Sequence, residues 1–265
     1  MLENVQAVRF VDELSSGRNR PWLLEAERSD GEVVEVVAKL GSAECGLGGL
    51  VREAYGAMLG SDLDLPVSES FVVELSADFL GTLRPELRAK VGEHPLAFGS
   101  KFIPSMLSVQ SHTVLPTDLL QQAAEALTFD AGIVNSDRLV RKPNCLTDGR
   151  SLLLIDHELS LNLQGRGFLM QDPWLPGALD LMTRPPAEHL FYRTLKPTRS
   201  DSPRPQFGGI CNKLAAIEAS RIAEYREAIP PQWDVDAVSN DIAAFLVELV
   251  ANAHSLKNEV EGILS

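Results

Sequence analysis

The stretch that decides the fold is residues 129–160, FDAGIVNSDRLVRKPNCLTDGRSLLLIDHELS. Within it residues 151–155 form an apolar run, closed on one side by Asp-Gly-Arg and on the other by Asp-His-Glu. That is the pattern of a buried strand ending in acid, so Asp156 falls at a strand's mouth. Upstream, Asn135-Ser136-Asp137-Arg138 and Pro143-Asn144 are polar and turn-rich, and they follow an amphipathic helical segment. A polar loop held between two apolar elements aims its side chains rigidly. Asp137, Asn144 and Asp156 are therefore expected to meet.

Toward the N-terminus, residues 5–11 alternate weakly and break at Ser15-Ser16-Gly17-Arg18-Asn19-Arg20-Pro21. Residues 22–27 and 33–40 read as two strands joined by Ser29-Asp30-Gly31, because Asp-Gly between apolar runs is a strong hairpin signal. The second strand ends on Ala38-Lys39. A Gly-rich turn, Gly46-Leu47-Gly48-Gly49, leads into a helix over 50–59 that carries Glu53. Residues 68–75 make a third strand, 76–95 a charged peripheral insertion with a helix at 85–91, and 96–103 a further strand that stops at Pro104.

Past Pro104 the periodicity changes. A helix over 117–128, with Thr117 as its N-cap, carries Leu119, Leu120, Ala123, Ala124 and Leu127 on one face. Beyond the opening stretch, 164–186 and 196–209 are rich in turn residues and read as loops, while 214–229 and 235–264 read as helices. In the last, Ile242, Phe245, Leu246, Leu249 and Val250 form a stripe that reads as core packing. Strands followed by helices argue for an α+β chain of two lobes, residues 1–104 and 105–265.

Composition narrows the function classes. At 265 residues and 45% hydrophobic content the chain can bury two cores. A net charge of −13 argues against a direct grip on nucleic-acid backbone, which needs excess Lys and Arg. No apolar run approaches the roughly 20 residues of a membrane span, and the N-terminus lacks a basic segment followed by an apolar one, so a cytoplasmic protein without membrane contact is expected. Cys45, Cys145 and Cys211 stand far apart, which suggests reduced structural thiols and neither a disulfide framework nor a zinc site.

The residue types point to phosphoryl transfer. That reaction needs a cation on the nucleotide phosphates, oxygens to hold magnesium, and a carboxylate beside the incoming hydroxyl. Magnesium prefers oxygen ligands such as Asp and Asn. Lys39 at a strand end suits the phosphates, and Glu53 on the next helix can fix it by pairing. Asp137 can orient and deprotonate the hydroxyl, and Asn144 and Asp156 can hold the metal. Singly, each has a bland reading: a solvated Lys, a Glu favouring a helix dipole, an Asp capping a turn. Their order along the chain is what argues for chemistry.

Residues 133–161, with Ile-Val-Asn-Ser-Asp-Arg, Pro-Asn-Cys-Leu and Leu-Ile-Asp-His-Glu, resemble the catalytic core of the HipA-like kinases, distant members of the protein-kinase-like fold that also includes phosphoinositide kinases. Ser16-Gly17-Arg18-Asn19-Arg20-Pro21 resembles the family's loop over the nucleotide phosphates, Val36-Val37-Ala38-Lys39 its lysine strand, and Phe98-Gly99-Ser100 the run into its hinge. Residues 63–67 and 229–233 resemble, respectively, the bend before its next strand and the entry to its closing helices.

The resemblance implies a two-lobed kinase with ATP and Mg²⁺ in the cleft. Gly17 would cover the phosphates and Lys39 contact them, with Glu53 as its partner. Asp137 would be the catalytic aspartate, Asn144 and Asp156 the metal ligands, and Phe102, Ile103 and Met106 part of the adenine hinge. It implies a Ser or Thr of a protein as acceptor, and it brings in a small antitoxin-like DNA-binding protein as partner. Ser105, Ser108, Ser200 and Ser202 are candidate autophosphorylation sites.

The sequence departs from kinases in two places. The metal-binding Asn usually lies five residues after the catalytic Asp, but Lys142 stands there and Asn144 follows two residues later. The metal Asp is followed by His157-Glu158 in place of Phe-Gly. Glu44 competes with Glu53 as partner of Lys39. Other readings are weaker. Gly46-Leu47-Gly48-Gly49 invites dinucleotide binding, but Val51 stands where the third glycine belongs and no alternating βαβ pattern follows. Cys145 with His157 invites a catalytic thiol, although a buried structural thiol is the commoner case. The serious rival is a nucleotide-binding pseudokinase or protein-interaction module without phosphoryl transfer.

Overall fold

A computed structural model describes the chain except residues 15–19, 111–112, 165, 168–169, 197–204 and 234–236. Five strands, β1 (Glu3–Glu13), β2 (Trp22–Glu27), β3 (Val33–Lys39), β4 (Ser70–Glu74) and β5 (Leu96–Lys101), close into a barrel in the order β1-β2-β3-β5-β4. Neighbours are antiparallel except β1 and β4, whose parallel pairing closes the ring. The Asp30-Gly31 hairpin forms as its residues require: Gly31 takes φ +87°, and Glu27 pairs with Val33.

Because side chains alternate across a strand, one set fills the barrel and the other faces out. Trp22, Leu24, Ala26, Val34, Val36, Ala38, Phe71, Val73 and Ala97 are buried in one hydrophobic core. The interior is tight enough that a Cβ on Gly99 would lie 2.6 Å from Val73 Cγ2. With Ala38 inside, Lys39 must point out of the barrel, on the face where Val72 and Phe98 join a second core.

That second core packs around the helices. α1 (Gly46–Asp62) meets β4 and β5, while α2 (Ala77–Thr82) and α3 (Pro85–Val91) give Phe79, Leu87 and Val91 to the barrel core. A three-stranded antiparallel sheet follows, β6 (Leu107–Ser108), β7 (Cys145–Thr147) and β8 (Leu152–Leu154), with α4 (Thr117–Gly132) against β8. The chain ends in α5 (Tyr192–Leu195), α6 (Gly208–Ala215), α7 (Ala219–Ala228), α8 (Val238–Ala251) and α9 (Ala253–Ile263). The Leu154 N–H donates to Pro66 O at 2.8 Å, which ties the exit of β8 to the segment after α1. The fold is thus a mixed α+β arrangement.

Four expectations change in detail. The Gly46–Gly49 run is the first turn of α1, not a loop before it. Thr117 is helical and makes no capping bond; Pro116 holds the cap position. The helix expected over 214–229 is two, α6 and α7, separated by an extended Glu218. The helix expected over 235–264 breaks at Asn252, whose side-chain amide donates to Glu248 O at 2.8 Å and competes with the helical ladder. The stripe in α8 packs as expected: Ile242, Phe245, Leu246 and Leu249 are buried.

Candidate active site

Beyond β8 the chain turns sharply. The Ile155 N–H donates to Asn144 O at 3.1 Å, and Asp156 takes φ +64°, a left-handed conformation that Asp tolerates better than most residues. The turn aims Asp156 at the outward-facing Lys39. The Lys39 ammonium lies 2.6 Å from Asp156 Oδ1, 2.9 Å from Glu53 Oε2 and 3.2 Å from Glu158 Oε2, with only 13% of its side chain exposed. Burial alone would lower the pKa of this ammonium, but Glu53, Asp156 and Glu158 outweigh it and hold the pKa well above its ordinary value. Burial alone would raise the Glu53 pKa; Lys39 and His157 hold it well below the carboxylate range.

Glycine lets α1 come this close. Gly49, Glu53, Gly56 and Gly60 follow helical spacing on one face, and a Cβ on Gly56 would lie 2.7 Å from His157 Cβ. His157 fills the position of the usual Phe and packs edge-on against Phe129. The Arg138 Nη2 lies 3.2 Å from its Nε2. A guanidinium can only donate, so Nε2 accepts and the proton sits on Nδ1, 3.8 Å from Glu53 Oε1.

Arg138 is fully buried and holds the loop together. Its guanidinium donates to both oxygens of Asp130, to Asn144 O and, at 3.2 Å, to Ile155 O. Asp130, near the end of α4, also accepts from Asn135 Nδ2 at 2.7 Å and from His189 Nε2 at 2.9 Å. Burial works to raise the Asp130 pKa, yet Arg138 and His189 hold it well below the carboxylate range. A continuous buried polar chain thus runs from His189 through Asp130, Arg138, His157 and Glu53 to Lys39.

The second half of the site lies on the loop between α4 and β7. Asn135 Oδ1 accepts the Asp137 N–H at 3.0 Å and turns the loop. Asp137 Oδ2 accepts from Asn144 Nδ2 at 2.9 Å and from the Lys142 ammonium, which also stands 3.3 Å from Asp156 Oδ2. Burial would lower the Lys142 pKa, but Asp137 and Asp156 raise it on balance. No described residue bonds Asp137 Oδ1. Asn144, at φ +44°, turns its amide nitrogen to Asp137 because a carboxylate only accepts, which leaves its amide oxygen for a cation.

The structure therefore brings together Lys39, Glu53, Asp137, Asn144 and Asp156. Glu53, not Glu44, forms the ion pair with Lys39. Phe102, Ile103 and Met106 lie on the connection from β5 to β6, with the Phe102 N–H on Glu35 O at 2.8 Å, and share no described bond with the carboxylates. Gly17, Ser200 and Ser202 lie outside the described residues.

Sequence reasoning missed Glu158 and Asp130. The signal for Asp130 was present: an acid on the buried helix face between Phe129 and Ala131 needs a cation, and Arg138 is the next one along. A cavity of about 630 Å³ opens elsewhere, lined by Asn4, Arg28, Glu74 and Pro230 among others. Its Arg28 is already held by Glu3 and Glu69, and the residues with catalytic potential are at Lys39.

Asp156 and the Asn144 amide oxygen are hard donors of the kind magnesium takes, so the residues present fit one such ion. The centre of the Glu53, Asp156 and Glu158 carboxylates, whose oxygens lie within 4.8 Å of one another, is taken by the Lys39 ammonium.

In overall fold the chain is similar to a solved structure of a Helicobacter pylori proinflammatory kinase, CtkA, with a TM-score of 0.55 at 11% identity over 98% of this chain and 99% of that one. No curated protein matches the chain. The model of the HipA-like kinases matches residues 7–167, more than half of the sequence and a span that holds every member of the Lys39–Asp156 constellation. The chain belongs to the HipA-like kinase family.

Proposed function

We propose that this protein is a two-lobed ATP-dependent phosphotransferase, residues 1–104 forming one lobe and 105–265 the other, which transfers the γ-phosphoryl group to a hydroxyl of Ser or Thr on a protein. The observation that carries it is the Lys39 ammonium, fixed by Glu53 at 2.9 Å and touching Asp156 at 2.6 Å, with Asp137 one lysine away. Lys39 neutralises phosphate charge, and its ion pair with Glu53 would keep it in place with Asp156 engaged by a metal. Asp156 and Asn144 would hold Mg²⁺, which when bound shields the phosphate oxygens. Asp137 Oδ1 accepts the proton of the acceptor hydroxyl. The hydroxyl oxygen bonds the γ-phosphorus as the bond to the β–γ bridging oxygen breaks, and ADP departs.

The contact of Lys142 with Asp137 favours a second reading, nucleotide binding without transfer. Calorimetric titration with ATP, with and without Mg²⁺, tests the site. Magnesium-dependent binding that Asp156→Ala weakens at least tenfold is expected. Binding indifferent to both would leave a nucleotide-binding pseudokinase, and no binding at all would overturn the nucleotide site.

A further inference from the structure

Position 142 is where phosphoryl-transfer centres of this type carry the Asn that binds a second metal ion. Its side chain here does something specific. The Lys142 ammonium bridges Asp137 Oδ2 and Asp156 Oδ2, the second at 3.3 Å. The backbone holds it there: Lys142 N–H donates to Leu139 O at 3.0 Å, Leu139 N–H donates to Lys142 O at 2.9 Å, and Pro143 follows. Leu139 is itself bridged to His189, one end of the buried polar chain. Toward Asp137 Oδ2, Asn144 presents its amide nitrogen, a donor and no metal ligand, so its amide oxygen is the atom left for an ion beside Asp156.

We propose that the Lys142 ammonium stands in for one of the two metal ions, so that the centre works with a single divalent cation held by Asp156 and Asn144. The inference rests on the phosphotransferase reading above. An ammonium in contact with both carboxylates occupies the space an ion shared by them would need, and its charge repels a second cation. It also leaves Asp137 Oδ1 open to the acceptor hydroxyl while occupying Oδ2. The Lys142 side chain is 43% exposed, so it is open to approach from solvent. During transfer the phosphoryl group gains its bond to the acceptor oxygen and loses that to ADP, with the hydroxyl proton on Asp137. Lys142 then supplies positive charge without exchanging a proton.

The test is the number of Mn²⁺ ions bound by the full chain with a non-hydrolysable ATP analogue, read by electron paramagnetic resonance and by calorimetric titration. Wild type is expected to bind one ion. Lys142→Asn is expected to bind two, with the broadened spectrum of a spin-coupled pair about 4 Å apart. Lys142→Met, which removes the charge but adds no ligand, is expected to show no spin-coupled pair.

Two coupled ions in the wild type would overturn the proposal while leaving the phosphotransferase reading intact. One ion in Lys142→Asn would overturn it as well. If the analogue binds neither with nor without Mn²⁺, the reading it rests on fails, and the proposal with it. Should the Asn variant fail to fold, the wild-type count decides.

Discussion

The Arg138 guanidinium and the Asp130 carboxylate form an ion pair with neither side chain exposed, Nε to Oδ2 at 2.6 Å. Removing one partner strands the other charge away from water. Arg138→Met should therefore cost about 3–5 kcal/mol of stability, measured by urea denaturation with the m-value unchanged. A loss under about 1 kcal/mol would show that Asp130 finds water or protonates easily.

Acid unfolding should follow from the same residues. Asp130 and Glu53 have pKa values held below the carboxylate range. The stability they contribute is complete above the unfolded-state pKa of about 4 and is lost as pH falls through their folded values. Lys39 is raised, so its contribution is complete below about 10.4 and is lost only as pH rises further. These groups should thus give no slope between roughly pH 5 and 10, and a falling urea midpoint below about 4. Asp130→Asn should flatten the acid limb.

Glu53 acts on Lys39 by charge, which a neutral isostere removes. A charge-assisted hydrogen bond contributes about 1.5–3 kcal/mol, so Glu53→Gln should lower kcat/KM for ATP by roughly 10–100-fold. Circular dichroism is the check that the variant folds. An unchanged kcat/KM would leave Asp156 and Glu158 as sufficient anchors.

Two glycine substitutions should have opposite signs. In Gly56→Ala the new Cβ would lie 2.7 Å from His157 Cβ, a contact near two backbones, and the strain should cost about 1–3 kcal/mol despite the better helix propensity of Ala. Gly81, in α2, has nothing within 4 Å of an added Cβ. Gly81→Ala should stabilise by roughly 0.5–1 kcal/mol, and urea denaturation reads both.

The three thiols should separate by reactivity. Burial pushes Cys145 and Cys211 up to about 11, whereas Cys45 is partly exposed. Iodoacetamide at mildly alkaline pH should label Cys45 first in the native protein and all three in urea, as read by peptide mass spectrometry.

What the sequence displays is local. Asp30-Gly31 between alternating strands gives the hairpin, and the alternation that buries Ala38 turns Lys39 outward. The acid after residues 151–155 places Asp156 correctly, because an apolar run that short ends where its polar residues begin. Long-range pairing leaves no such mark: the parallel bond of β1 to β4 joins segments some 68 residues apart, such as Val5 to Val73. The Gly46–Gly49 run misleads because only Gly46 takes a turn conformation, at φ +58°, whereas Gly49 lies within the helix with an added Cβ 2.6 Å from Cys45 Cβ. Glu158 escapes notice because a charged residue after a strand is usually solvated, and only the tertiary approach of Lys39 turns it inward.

The attachment of α1 sets how this site can be regulated. Glu53 grips Lys39, Arg52 Nε donates to Glu158 O at 2.6 Å, Tyr55 Oη reaches Ser239 O at 3.2 Å, and Gly56 lies flush on His157. Swinging the helix outward would break four contacts to three different segments at once. Such a helix is a poor lever for switching the site off. Control exerted on the approach of substrate, or on the release of product, would leave this framework undisturbed.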